Sequence, residues 1–128
     1  MSAELYLQGA IYSALSTDLT IPVFSNVPDN EPGPYVVIGD MSVSEWGTDA
    51  RTGSQITAGV DVWQQGTSMV GVRTIMDQII DSLDRRDVPS STDYSCIGLD
   101  FESSTLVRDP DSVTMHGTVN FTAYIRAK

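Results

Sequence analysis

The sequence predicts an α+β domain, a mainly antiparallel four-stranded sheet with two helices packed on one face. Three observations carry this. A helical stripe of apolar residues occurs twice, at the start of the chain and again near residues 69–83. Residues 55–63 alternate between apolar and polar with the period of a strand. The elements run helix, strand, strand, helix, strand, strand, an order that segregates helices to one side of an antiparallel sheet.

The first helix begins at Ser2, a residue whose hydroxyl can accept from the free N–H groups of the first turn. Glu4 suits the positive end of the helix, and Leu5, Ile11, Tyr12 and Leu15 recur at helical spacing. Asp18 to Pro34 is a long connection holding Pro22, Pro28, Pro32 and Pro34, a density that forbids a regular ladder across the segment. Tyr35-Val36-Val37-Ile38-Gly39 is β-branched and reads as a strand apolar on both faces. Residues 44–54 lack a period and are punctuated by Gly47 and Gly53, which predicts an exposed connection longer than a tight hairpin. In the next strand Ile56, Ala58, Val60 and Val62 face one way, and Gln55, Thr57, Asp61 and Trp63 the other.

The second helix shows one stripe of Met69, Val72, Met76, Ile79, Ile80 and Leu83, with Asp77, Gln78, Asp81 and Asp84 opposite. Arg85 and Arg86 lie at its negative end. Ser90 to Asp93 is a polar connection. In the last two strands Ile97, Leu99, Phe101 and Val107 are expected on one face of the first, and Met115, Val119, Phe121, Ala123 and Ile125 on one face of the second. Arg108-Asp109-Pro110-Asp111-Ser112 is the turn between them, Pro110 setting φ and the aspartates bonding back to the chain.

Residues 1–128 make one domain. At 41% hydrophobic residues, with two Trp, five Tyr and three Phe, the chain can fill a core, and 19% charged residues argues against disorder. The net charge of −10 comes from 17 acids against 7 bases, the reverse of what phosphate neutralisation requires of a free DNA binder. One cysteine makes no internal disulfide, and with one histidine it makes no structural zinc site. The first residues lack a secretion signal, and no stretch reaches the roughly 18 apolar residues of a bilayer span. The expectation is a protein made and kept in a cytoplasm unless it leaves as part of something larger.

Candidate chemistry is sparse. With Phe101 set opposite Val119, Cys96 lies opposite Tyr124, eight residues from His116 and on the order of 26 Å away, too far for a nucleophile and its base. Asp100 and Glu102 share a face as a carboxylate pair or hard-metal site would, or as the polar side of an amphipathic strand does. In that register His116 sits within diagonal reach of Glu102, a charge-paired surface histidine rather than a base. No phosphate-binding glycine loop or nucleophile elbow is present. The sequence therefore predicts no catalytic residue, no metal and no cofactor. Trp46 and Trp63 stand in or beside polar segments, where such rings anchor interfaces; Trp63 could equally cap the sheet edge against the second helix.

The chain resembles the tail-completion, or tail-terminator, proteins of long-tailed bacteriophages and gene-transfer particles along nearly its full length. The resemblance lies in the leading helix, in Pro34-Tyr35-Val36-Val37-Ile38-Gly39-Asp40, in Trp46 and Thr48, and in Val60-Asp61-Val62-Trp63. It continues in Ile79-Ile80-Asp81-Ser82-Leu83, in Phe101-Glu102-Ser103, in Leu106-Val107-Arg108-Asp109-Pro110-Asp111, and in Thr114-Met115-His116-Gly117 before Phe121. Ser112-Val113 departs from it, standing where similar proteins carry a glycine. The resemblance implies a virion structural protein, not an enzyme. Such a protein assembles with itself into a ring, usually a hexamer, on the completed tail tube, and presents the surface that joins the tail to the head-completion or connector protein. DNA would pass the acidic ring without specific binding, since like charges repel, and no membrane is involved. A tail-tube or head-completion subunit, an acidic protein-binding module and a small enzyme are the competing readings. The expected contacts with a neighbouring subunit or the tube are Trp46, Asp49 and Arg51 in the 44–54 segment, and Arg108, Asp109 and Asp111 at the last turn.

Overall fold

The structure, a computed structural model, describes residues 2–28, 33–47, 53–66, 69–108 and 114–128. Its elements are α1 (Ala3–Asp18), β1 (Val23–Phe24), β2 (Tyr35–Trp46), β3 (Gly53–Gln65), α2 (Met69–Leu83), β4 (Tyr94–Arg108) and β5 (Thr114–Ala127). The sheet has five strands in the order β1-β2-β3-β5-β4, not four. The additional strand is two residues long and lies in the proline-rich connection, where Val23 and Phe24 run parallel to Val36 and Val37. Pro22 gives up its N–H but keeps its carbonyl, which accepts from Val36 N at 2.9 Å. A short ladder therefore survives among prolines, and the sheet is mixed rather than wholly antiparallel.

Both helices cover one face of the sheet, as the pattern predicts. Ile56, Ala58, Val60 and Val62 of β3 are buried there, as are Met115, Val119, Phe121, Ala123 and Ile125 of β5. The α2 stripe is essentially as expected: Val72, Ile75, Met76, Ile79 and Leu83 are buried, whereas Met69 stays exposed. Gly117 lets α2 approach β5, since a Cβ there would lie 2.6 Å from Met76 Sδ. In α1 the Ser2 hydroxyl caps Leu5 N at 3.1 Å, but the buried residues are Tyr6, Leu7, Ile11, Ala14 and Leu15. Leu5 and Tyr12 face outward, because α1 lies over β1, β2 and α2 with its buried flank rotated from the expected one.

Two expectations about the strands change. β2 continues to Trp46 and β3 begins at Gly53, so the connection is shorter than residues 44–54. Polar Ser42, Ser44 and Glu45 belong to the ladder because they pair with Thr57, Gln55 and Ser54. In the last hairpin Phe101 pairs with Phe121, not Val119, and Cys96 with Ile125, not Tyr124. Register shifts between Cys96 and Gly98 and between Phe101 and Ser103 each insert one residue, and each reverses which side chains face the helices. Ile97 and Val107 consequently leave the apolar face and are exposed.

The ends of the helices are tied together. Asp18 Oδ2 accepts from Ser82 Oγ at 2.7 Å and from Arg86 Nη1 at 2.8 Å, and Arg86 also donates to Ser82 O, one of the free carbonyls ending α2. These bonds, Ser82 first and Arg86 second, hold the Asp18 carboxyl below its usual range.

Candidate functional site

Among the described residues no group of three or more His, Cys, Asp or Glu side chains is placed to hold a metal ion. Cys96 and His116 lie far apart, because Ile125 opposite Cys96 is nine residues, or about 30 Å, along β5 from His116. Burial pushes the Cys96 thiol above its usual range, and Sγ donates to Gly98 O at 3.3 Å. The thiol is therefore poorly ionised and poorly nucleophilic. The features that remain lie on the open face of the sheet, away from the helices, and at the ends of the strands.

At one end of that face the Trp63 ring stacks on His116, with centroids 3.9 Å apart and planes 8° apart. Asp61 Oδ1 lies 3.2 Å from His116 Nε2 and accepts from Thr118 Oγ1 at 2.8 Å. The acidic partner of His116 is thus Asp61 of β3 rather than Glu102. Glu102 sits at the second register shift of β4 and accepts from Thr122 Oγ1 instead. Trp63 does not cap the sheet against α2. Its neighbour Gln64 points that way, with its amide against Gly71, because successive side chains of a strand alternate.

At the other end Trp46 closes β2. It packs on Tyr124 with centroids 5.1 Å apart and 54° between planes, and the Arg126 guanidinium carbon lies 5.3 Å from its ring centre. Gly53 pairs with Trp46 and is buried beneath it; a Cβ there would lie 2.8 Å from Trp46 Cε3 and 2.5 Å from Trp46 O. Trp46 is therefore part of the sheet surface and not a loop aromatic. Sequence reasoning missed Tyr124 and Arg126, although their i, i+2 spacing on the polar side of β5 puts both rings and charge on this face.

Of the expected contact residues, Trp46 and Arg108 lie at opposite ends of the sheet, about 36 Å apart as measured along β5 between their partner levels. Asp49, Arg51, Asp109 and Asp111 fall outside the described residues. Between the two aromatic clusters Asp40, Ser42, Thr57, Gly59, Asp61, Thr118 and Asn120 line a shallow polar depression of about 240 Å³. No described helix is long and apolar enough to cross a membrane.

Residues 9–126 match the family described as tail completion protein gp17. The tail completion protein gp17 of Bacillus phage SPP1 is 28% identical over 90 residues, covering 70% of this chain and 66% of that protein, so the match spans just under two thirds of the relative. A chain in the virion of a native gene transfer agent particle superposes with a TM-score of 0.84 over 94% of each chain at 20% identity, a likeness of fold.

Proposed function

The chain belongs to the tail completion protein gp17 family, and from that premise we propose that it is a structural subunit that closes the finished tail tube of a phage or gene-transfer particle as a ring of six. The observation that carries this is the family match over residues 9–126. The ring meets the tube protein on one side and a head-completion or connector protein on the other. The sheet supports such a division of labour, since Trp46 stands at one end of the strands and Arg108 at the other. The segments they begin, with Asp49 and Arg51 in one and Asp109 and Asp111 in the other, are the proposed contacts to neighbour, tube and head. The acidic surface lets DNA pass without adhering.

Purified protein mixed with tube-length tails tests the reading. Light scattering and negative-stain images are expected to show a ring on one tube end, and particles lacking the protein to have overlong tails or tails that do not join heads. A protein that stays monomeric and also does not add to tails would overturn it.

A further inference from the structure

The sheet covers its outer edges except in two places. On one side β1 pairs with Val36 and Val37, and Val36 N is bonded to Pro22 O. On the other side the chain after α2 caps the first half of β4. Arg85 N donates to Leu99 O at 2.7 Å, Asp84 Oδ1 accepts from Phe101 N at 2.9 Å, and Ser91 N donates to Tyr94 O at 2.9 Å. Beyond these caps, among the described residues, nothing bonds the outward backbone of Met41–Trp46 on β2 or of Ser103–Arg108 on β4. Each stretch is six residues long and contains neither Pro nor Lys, the usual guards of a free edge. Each also carries one exposed apolar side chain. Val43 is 45% exposed beside half-buried Met41, and Val107 is 51% exposed beside half-buried Leu106.

The two stretches are complementary. Met41–Trp46 includes Glu45 and no base, whereas Ser103–Arg108 includes Arg108 and no acid, with Asp40 and Glu102 standing just before them. β4 runs antiparallel to β2 within the sheet, so copies placed side by side in the same orientation bring the two edges together antiparallel. The stretches lie at opposite ends of the strands and cannot meet within one copy. A contact between them is head-to-tail, the kind that closes into a ring.

We propose that the Ser103–Arg108 edge of one copy pairs with the Met41–Trp46 edge of a second copy of this chain, continuing the sheet from subunit to subunit. This rests on the ring reading above and names the surfaces that close the ring. The geometry sets its size. Leu106 pairs at the level of Gly117 and Val43 at the level of Ala123 through Ile56, so each copy steps about 20 Å along the strands. Four strand spacings add about 19 Å sideways, which gives about 28 Å per subunit and a six-membered ring about 50 Å in mean diameter.

Disulfide trapping tests the pairing. In a Cys96→Ser background, Leu106→Cys is combined in turn with Met41→Cys, Val43→Cys or Glu45→Cys, the three registers that keep the helix-side residues on one side. All four positions are half-buried or exposed, so the variants keep the fold. Each protein is assembled with tails, oxidised and run without reductant, while light scattering and negative stain follow ring formation in the Cys96→Ser parent. The expected result is a ladder reaching six subunits for one pair, with each single-cysteine variant giving no more than background dimer. If the parent forms rings and none of the three pairs cross-links above the single-cysteine variants, the edge pairing is wrong and the ring reading stands. Strong dimer from Leu106→Cys alone shows a two-fold β4–β4 contact and also overturns the pairing. A parent that forms no oligomer, alone or on tails, removes both readings.

Discussion

Replacing Trp46 with alanine separates two views of that residue. If Trp46 were a loop anchor, its loss would weaken assembly and leave the melting transition unchanged. In the structure it packs on Tyr124 and beneath Arg126 and covers Gly53. A tilted aromatic pair is worth about 0.5–1.5 kcal/mol, and a partly exposed cation–π contact about 0.5–1 kcal/mol. The half-buried ring withdraws on the order of 100 Å² from water, about 2.5 kcal/mol at 25 cal/mol per Å². Compactness of the unfolded chain and the remaining exposure of the site reduce the total, so Trp46→Ala is expected to cost about 2–3 kcal/mol.

For a 128-residue domain the unfolding entropy near the midpoint is about 270 cal/mol/K, so that loss lowers Tm by about 7–11 °C. Circular dichroism melts of the wild type, Trp46→Ala, Arg126→Ala and the double variant give both the loss and the coupling. The two substitutions should couple by about 0.5–1 kcal/mol, since they remove the same contact. A Trp46→Ala variant that melts within 2 °C of wild type, with no coupling to Arg126, would refute the clamp and return Trp46 to a purely external role.

The remaining predictions concern smaller features. Gly53→Ala is expected to cost about 1–3 kcal/mol, because its methyl meets backbone oxygens of Trp46 and Ile125 that cannot swing away. Gly9→Ala, in an open position on α1 with nothing within 4 Å, is expected to stabilise by about 0.5–1 kcal/mol; chemical denaturation distinguishes the two signs. Asp18 has its folded-state pKa lowered by Ser82 and Arg86, so its contribution is present above the ordinary aspartate range and is lost as pH falls through the depressed folded value. The melting difference between wild type and Asp18→Asn should therefore be largest at neutral pH and vanish towards pH 2; a constant difference contradicts the assignment. Finally, six copies at −10 each carry −60, so the ring should loosen at low salt and tighten as screening rises, read by light scattering across a sodium chloride series.

Much of this protein could be read from residues near one another in the chain. The alternation of Ile56, Ala58, Val60 and Val62 and the stripe through Val72, Met76, Ile79 and Leu83 are local periodicities, and each determined an element and the side it buries. The family was legible for the same reason, in short runs held in order along the chain. Tertiary structure decided everything that depends on a partner strand. The registers of β4 set Phe101 against Phe121 and turned Val107 outward, because one inserted residue reverses every side chain beyond it and nothing in the residue itself announces the insertion. It made Trp46 the end of a strand, since Ser44 and Glu45 are strand residues only by virtue of Gln55 and Ser54 opposite them. It admitted β1 among prolines, because parallel pairing there used the carbonyl that proline retains. It also decided which edges stay open, since whether a backbone group is satisfied depends on what the rest of the chain lays beside it.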